Sequence, residues 1–322
     1  MQTPYDAKTL VCIGLTLVLW ASAFAGIRAG LTAYDPATMA LLRFGVASIA
    51  LAIYAVVTKV RLPARQDLPR LAVAGFLGIT VYHLALNFGE RSVEAGAASL
   101  IVASAPVWTS LLATLFLGER LRLLGWAGIA LSFIGAALIS LGQGDGLSLN
   151  LGVGLVLLAA ISQSTYFVIQ KPILRSYRAI EVVSYVTWVG TLMLLVFLPG
   201  LITDMQTAPL DATLAVVYMG IGPGAVAYAA WAYVLSRMQA STASSLLYVV
   251  PVIAFIIAWF WLGEVPTYMS IVGGALALAG VALVNKKPGR GDRRDQATGD
   301  PALSSHDALP LKAARGGPAQ AE

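Results

Sequence analysis

Ten apolar stretches between residues 9 and 285, each long enough to cross a lipid bilayer as a helix, constrain the fold more than any other feature. An α-helix rises about 1.5 Å per residue, so about 20 apolar residues cross a hydrocarbon core of about 30 Å. Because lipid offers the backbone no hydrogen bonds, such stretches must be helical. The sequence therefore predicts an all-α membrane protein with ten transmembrane helices, at residues 9–29, 36–57, 70–88, 95–117, 122–141, 150–170, 179–203, 211–235, 240–262 and 267–285.

Charged residues are too few to cover a soluble protein and are concentrated at the ends of the apolar stretches. They make up 11% of the chain, against about 25% in an ordinary soluble protein. If the N-terminus is cytoplasmic, 18 of the 21 Lys and Arg residues lie in cytoplasmic segments, Arg28 and Arg91 lie outside, and Arg43 lies within helix 2. This bias predicts a multi-pass membrane protein with both termini in the cytoplasm. It also explains the basic pI near 9.3 without a nucleic-acid partner.

The residues that most metal sites, cofactor sites and active sites require are scarce in this sequence. There is one cysteine, Cys12, and there are two histidines, His83 and His306. No zinc-protease, phosphate-loop or nucleophile-elbow motif is present, and no paired carboxylates lie within the apolar stretches. We therefore expect no metal, no cofactor and no enzymatic activity.

An internal repeat divides the chain into two halves. Residues 95–140 and 240–285 align without a gap at an offset of 145 residues, and 15 of the 46 positions are identical. The matches include Pro106 with Pro251, and Leu117-Gly118-Glu119 with Leu262-Gly263-Glu264. A unit of five helices is odd in number, so the second copy enters the membrane from the opposite side. This arrangement of two inverted five-helix repeats is typical of secondary transporters.

The repeat and the composition together predict four segments. We expect a short cytoplasmic N-terminus at residues 1–8, a first five-helix repeat at 9–141 and a second at 150–285. Residues 288–322 are rich in Gly, Pro, Ala and charged residues without an apolar period, which predicts a disordered cytoplasmic tail.

Three short motifs, taken in order, resemble those of a known family. They are Trp20-Ala-Ser-Ala-Phe24 in helix 1, Leu41-Leu42-Arg43-Phe44 in helix 2, and the Ala-Ser-Leu…Pro…Leu-Gly-Glu-Arg block that begins at Ala98 and ends at Arg120. The set resembles the drug/metabolite transporter superfamily, specifically its EamA-type ten-helix exporters, and within these the YddG-type amino-acid exporters of bacterial inner membranes. The resemblance implies a central substrate cavity between the two repeats and export by alternating access. One departure is that Arg43 has no basic counterpart in helix 7.

Polar and aromatic side chains share a face on several predicted helices. A polar group that faces lipid costs several kcal/mol, so these faces are expected to turn inward. Interhelical hydrogen bonds and anchoring of aromatic rings at the membrane surface are the alternative explanations. The predicted residues of the substrate cavity are Trp20, Phe24, Tyr82, His83, Asn87, Trp108, Gln163, Tyr166, Ser244 and Tyr248.

Arg43 and His83 are the ionisable residues predicted to lie well inside the membrane. Arg43 either has a structural role or binds a substrate carboxylate, and His83 either relays protons, binds the substrate or is structural. Asp and Glu are absent near the centre of the predicted helices, and Glu90 and Glu94 flank the break after helix 3. We therefore expect facilitated or weakly coupled efflux in preference to tight proton antiport.

Two further sets of residues carry expectations about motion and packing. Pro106 and Pro251 lie about twelve residues into their predicted helices and are expected to act as hinges, with a static kink as the alternative. Glycines spaced by seven residues in helices 5 and 10 are expected to allow close helix packing, with a homodimer contact as the alternative.

These features together predict a secondary membrane transporter that exports small organic metabolites. The resemblance implies that these are amino acids. The aromatic, nearly charge-free lining favours a broad selection of aromatic or neutral ones over a highly charged solute. The alternatives are an exporter of drugs or other metabolites with the same fold, a passive channel or an intramembrane enzyme. The expected partners are the small-molecule substrate and the lipid bilayer.

Overall fold

The described part of the chain is built of helices and turns, without a strand. The computed structural model describes residues 6–105, 107–109, 111–112, 123–142, 151–237, 243 and 246–285. Pro106 and Ser244 lie outside the described residues. The helices, labelled in chain order, are α1 Ala7–Gly30, α2 Pro36–Thr58, α3 Arg65–Gly89, α4 Ala95–Val102, α5 Leu123–Gly142, α6 Leu151–Ile173, α7 Ala179–Thr207, α8 Leu210–Arg237, α9 Val250–Leu262 and α10 Tyr268–Asn285.

Six of these helices are long enough and apolar enough to cross a membrane. They are α1, α2, α3, α6, α7 and α8. In the other four the apolar stretch found within the described residues is shorter, such as Val250–Leu262 in α9 and Tyr268–Gly280 in α10. Helices α4 and α9 are both interrupted close to a proline. The six long helices confirm an all-helical membrane fold, and the full count of ten transmembrane helices stays a prediction.

The helix starts follow ordinary capping chemistry. The carboxylate of Asp6 accepts a hydrogen bond from the Thr9 amide at 2.9 Å, and the carboxylate of Asp35 accepts one from the Ala37 amide at 3.1 Å. Pro36 occupies the first turn of α2, where its missing N–H costs nothing. These caps place the starts of α1 and α2 close to the predicted positions.

Helices α3 and α8 each contain a π-helical segment that the sequence did not predict. The segments are Phe76–Val81 in α3 and Gly220–Ala227 in α8, and they cover positions related by the 145-residue offset. Each follows or begins with a glycine that approaches another helix closely. A Cβ on Gly75 would lie 2.8 Å from the Val186 carbonyl oxygen, and a Cβ on Gly220 would lie 2.6 Å from the Arg43 carbonyl oxygen. The widened turns are therefore held where α3 packs on α7 and where α8 packs on α2.

Breaks in α4 and α9 also correspond at this offset. Helix α4 ends at Val102 and is followed by a turn at residues 103–104, while a 3₁₀ turn at Leu247–Val249 precedes α9. Pro251 follows that turn and cannot donate a helical hydrogen bond. The irregular backbone of both segments therefore lies within one turn of a proline position.

Helices α5 and α10 pack on each other through their glycines. A Cβ on Gly135 would lie 2.4 Å from the Gly273 carbonyl oxygen, and a Cβ on Gly280 would lie 2.4 Å from the Gly128 carbonyl oxygen. Ser132 donates a hydrogen bond to the Ala277 carbonyl at 3.1 Å. The predicted small-residue faces therefore meet each other within one chain.

We expect Gly135→Ala to lower the free energy of unfolding by about 1–3 kcal/mol, because the added methyl group meets backbone that cannot move aside. The matched control is Gly45→Ala in α2, where nothing lies within 4 Å of the added Cβ. Thermal unfolding of the purified protein in detergent measures both. Equal melting temperatures for the two variants would contradict the packing described here.

Candidate functional site

A cavity lies at the centre of the described helices. It has a volume of about 590 Å³, counting the part that is open to solvent, and its walls come from α1, α2, α3, α4, α6, α8 and the start of α9. Most of the lining is apolar or aromatic. The sequence-predicted residues that line it are Trp20, Phe24, Arg43, Tyr82, His83 and Gln163.

Three other predicted residues are placed away from this lining. The side-chain amide of Asn87 donates to the Pro36 carbonyl at 2.9 Å and so joins α3 to the start of α2. Tyr166 packs behind the cavity, with its ring where a side chain on Gly78 would be. Trp108 lines a separate, smaller cavity beside Phe133 and donates to the Ser104 hydroxyl at 3.1 Å.

The remaining predicted residues are only partly described. Pro251 is buried in the first turn of α9, next to Val250, which lines the cavity. Tyr248 lies in the preceding 3₁₀ turn, and its side chain is outside the described part of the chain. The predictions for Pro106 and Ser244 likewise fall on residues that the structure does not describe.

Tyr228 is a cavity residue that sequence reasoning did not select. It lies 145 residues after His83, so the two occupy equivalent positions in the repeat. The structure brings them together, with His83 Nε2 3.0 Å from the Tyr228 hydroxyl. Tyr228 could have been predicted by adding the 145-residue offset of the repeat to His83.

A chain of hydrogen bonds runs from Arg43 through His83 to Tyr228. Arg43 Nη1 lies 3.4 Å from His83 Nδ1, and a guanidinium can only donate, so Nδ1 must accept. The proton of the neutral ring is then on Nε2, which donates to the Tyr228 hydroxyl, and that hydroxyl donates to the Gly78 carbonyl at 3.4 Å. This geometry favours a neutral, positioning histidine over a proton carrier.

An aromatic cluster forms the wall of the cavity around Trp20. The ring centroid of Trp20 lies 5.4 Å from those of Tyr228 and Trp231 and 6.3 Å from that of Phe167. The indole N–H of Trp20 donates to the Pro223 carbonyl at 3.3 Å, in the π segment of α8. The side chains that bound the cavity here are therefore held by both stacking and a backbone acceptor.

Charged side chains join the helices at one end of the bundle, in a set of contacts that we call the Arg28 network. Arg28 Nε donates to the Glu264 carboxylate at 3.2 Å, and its Nη1 donates to the Glu90 carbonyl at 2.7 Å. The second carboxylate oxygen of Glu264 accepts from the Ala95 amide at 3.1 Å, at the start of α4. The network therefore joins the ends of α1, α3 and α9 to the beginning of α4.

A related contact lies at the opposite end of the bundle. Lys171, in the last turn of α6, donates to the Leu235 carbonyl in α8. Leu235 lies 145 residues after Glu90, and Lys171 lies 143 residues after Arg28. A cation at the end of the first helix of each half therefore bonds the end of the third helix of the same half.

Glu90 is buried, although the sequence places it in a break between helices. It is 0% exposed, and within the described residues neither of its carboxyl oxygens has a hydrogen-bond partner. Burial raises the pKa of Glu90 well above its usual value; Arg28 and Arg43 oppose that rise, and Glu264 adds to it. The carboxyl group is therefore held in surroundings that favour its neutral form.

The described residues contain no group of three or more His, Cys, Asp and Glu side chains that could hold a metal ion. The described residues form a bundle of long apolar helices around a cavity that is lined by aromatic side chains and by the buried guanidinium of Arg43. Such a bundle and cavity are typical of a multi-pass membrane transporter.

The chain belongs to the EamA-like transporter family, whose model matches residues 8–141 and again residues 150–286. The family is part of the drug/metabolite transporter superfamily, so the resemblance seen in the sequence is confirmed. The "Uncharacterized transporter YdfC" of Bacillus subtilis (strain 168) is 44% identical over 280 residues, which cover 87% of this chain and 92% of the relative.

Two further relatives carry more specific names. A "Probable terminal-alkyne amino-acid exporter" of Streptantibioticus cattleyicolor is 42% identical over 292 residues, covering 91% of this chain and 98% of that protein. A "Probable amino-acid metabolite efflux pump" of Salmonella typhimurium is 28% identical over 284 residues, covering 83% and 91%. These names and the family name are those of transporters, not enzymes.

One solved crystal structure shares the fold. It superposes with a TM-score of 0.60 at 20% identity and covers 87% of this chain and 96% of that chain.

We expect Tyr228→Phe to lower the free energy of unfolding by about 1–3 kcal/mol, because the buried N–H of His83 loses its acceptor. Tyr218→Phe is the matched control, since its hydroxyl contacts Ser22 at 2.6 Å but its side chain is partly exposed. The control should change stability by less than about 1 kcal/mol. Chemical unfolding in detergent compares the two, and equal effects would speak against the hydrogen-bond chain.

Proposed function

We propose that the chain is a secondary transporter that exports amino acids or similar metabolites carrying a carboxylate, by alternating access through the central cavity. The observation that supports this most directly is the guanidinium of Arg43. It is 2% exposed, it lines the cavity, and it forms no ion pair within the described residues.

A buried positive charge without a counter-ion is costly, and a ligand can supply the missing charge. Arg43 Nε has no hydrogen-bond partner in the described part of the chain, while Nη1 is directed at His83. A guanidinium binds carboxylates through two parallel N–H donors, so the unpartnered Nε suits such a group. His83, itself bonded to Tyr228, contacts the guanidinium through Nη1 and leaves Nε to the ligand.

The rest of the lining fits an uncharged or aromatic body. Phe24, Ile27, Leu86 and Val102 present apolar surface to the cavity, and Gln163 adds an uncharged polar group. No Asp or Glu lies among the described lining residues. We therefore propose aromatic or neutral amino acids, with broad selection, and the names of the Streptantibioticus and Salmonella relatives support this class.

We further propose ten transmembrane helices in two inverted five-helix repeats, at residues 9–141 and 150–285. The π segments, the breaks near the prolines and the α5–α10 glycines all correspond at the 145-residue offset, which supports the repeat. The distribution of Lys and Arg supports an orientation with both termini in the cytoplasm. In that orientation the Arg28 network faces outward and the Lys171 contact faces inward.

Counterflow with the purified protein in liposomes tests the proposed function. Liposomes loaded with an unlabelled neutral amino acid should accumulate the labelled compound, and the matching amino-acid amide, which lacks the carboxylate, should compete at least about tenfold less well. Indifference to every amino acid would refute the substrate class. Competition by uncharged drugs alone would favour a drug exporter, and flux without saturation would favour a channel.

We expect Arg43→Gln to raise the KM for amino acids by about 10- to 100-fold, which is the value of a charge-assisted hydrogen bond of about 1.5–3 kcal/mol. Arg91→Gln is the matched control, because Arg91 is exposed and lies 3.9 Å from Asp35 at the surface. Initial transport rates over a range of substrate concentrations separate KM from kcat. An unchanged KM in Arg43→Gln would assign the arginine a structural role instead.

We propose that Pro251 is one of two hinges, together with Pro106. Pro251 follows the 3₁₀ turn at Leu247–Val249, and Leu247 and Val250 both line the cavity, so bending here changes the cavity wall. Pro251→Ala should restore a helical hydrogen bond and slow transport several-fold at normal expression and unchanged KM. Transport at the wild-type rate would show that the kink is static.

A further inference from the structure

We propose that Glu90 is a proton-binding residue of this transporter, and that the Arg28 end of the bundle closes over the cavity only when Glu90 is protonated. The inference rests on the proposed transport function, but its test needs no substrate. It assigns proton binding to Glu90, whereas the sequence offered no carboxylate near the centre of the membrane for that role.

Glu90 lies between the cavity and the end of the bundle. Leu86, one turn earlier in α3, lines the cavity, as does Ile27, which directly precedes Arg28 in α1. The Arg28 network then joins the ends of α1, α3 and α9 to the start of α4. Opening the cavity on this side requires these helix ends to separate, so Glu90 is buried only while they are together.

While the Arg28 network holds the helix ends together, no donor among the described residues stabilises a carboxylate on Glu90. Arg28 donates to the Glu264 carboxylate and to the backbone carbonyl of Glu90, and Arg43 is directed at His83. Both carboxyl oxygens of Glu90 are buried without a donor among the described residues. A desolvated carboxylate without donors takes up a proton, because the neutral acid loses far less on leaving water.

Other charged or titratable groups face Glu90 from the neighbouring elements. They are Arg28 of α1, Arg43 of α2 and Glu264 beyond α9, with Tyr82 on its own helix. Arg28 is paired with Glu264, so that ion pair leaves little net charge next to Glu90. Arg91, at the surface, lies 3.9 Å from the Asp35 carboxylate. Within the described residues the pairing therefore leaves Glu90 without a cation of its own.

Opening of the bundle at the Arg28 end would favour the ionised form of Glu90. Separation of the helix ends would let water reach Glu90, and Arg28, whose side chain is 33% exposed, would be free to pair with it. The carboxyl group would then release its proton to the solution on that side, and closing would require it to take one up again. Because the closed state binds one more proton, the closed-to-open ratio falls as pH rises, by up to about tenfold per pH unit.

Cysteine accessibility in right-side-out membrane vesicles tests the proposal. In a Cys12→Ser background, Ile27→Cys reports opening of the cavity toward the outside to a membrane-impermeant maleimide. Thr32→Cys, exposed just beyond α1, corrects for the pH dependence of the thiol reaction itself. The corrected labelling of Ile27→Cys should rise several-fold between about pH 5.5 and about pH 8 outside the vesicles, as expected for one proton.

Adding Glu90→Gln should hold the labelling of Ile27→Cys low at both pH values, because the amide is permanently neutral. Glu94→Gln, which removes a neighbouring carboxylate, should leave the pH response intact. If Glu90→Gln does not reach the membrane, Glu90→Asp should shift the midpoint of the response. Labelling that does not depend on pH, or the same response with and without the Glu90 substitution, would overturn the proposal. A pH response without amino-acid counterflow would overturn the substrate class alone.

Discussion

The helical backbone is irregular in the two π segments beside the cavity. The carbonyl groups of these segments need hydrogen-bond donors, because the interior of a membrane supplies no water. Side chains from other helices meet this need. Trp20 donates to the Pro223 carbonyl, Tyr228 to the Gly78 carbonyl and Ser162 to the Leu77 carbonyl, all within the two π segments. Without these donors the widened turns would carry unsatisfied carbonyls in hydrocarbon. The cavity therefore depends on hydrogen bonds from side chain to backbone as much as on its lining.

The burial of Arg43 and the burial of Glu90 have different physical explanations. Arg43 lines the cavity, and its Nε has no hydrogen-bond partner among the described residues, so its charge suits a ligand that brings its own anion. Glu90 is enclosed on all sides, and a ligand has no route to it in this arrangement. In our proposals the burial of Glu90 therefore serves the closing of the bundle, whereas the burial of Arg43 serves substrate binding.

Much of the fold could be predicted from the sequence, because length and hydropathy dominate helix formation in lipid. The start of α2 and the packing of the α5 and α10 glycines follow from local signals of a few residues. The π segments could not be foreseen, since Gly75 and Gly220 widen the helix only where another backbone approaches. Tertiary contact, not local preference, decides these turns.

The residues of the cavity could be predicted in part, because helical spacing shows which side chains share a face. Trp20, Phe24, Tyr82, His83 and Gln163 lie on inward faces that helical spacing identifies. Spacing alone could not distinguish the cavity wall from the layer behind it, where Asn87 and Tyr166 lie. Nor could it show that Glu90, next to a loop, would be covered by the ends of three other helices.

The contact between His83 and Tyr228 joins two positions that are equivalent in the repeat, as does the contact between Ser132 and Ala277. A residue that touches its own equivalent lies on the axis that relates the two halves. Two identical halves would place like side chains opposite each other there, histidine against histidine or tyrosine against tyrosine. A single chain is free to place unlike ones, so at His83 and Tyr228 one side donates and the other accepts. The directed hydrogen-bond chain in the cavity is thus available to a fused pair of repeats and not to a symmetric dimer of one of them.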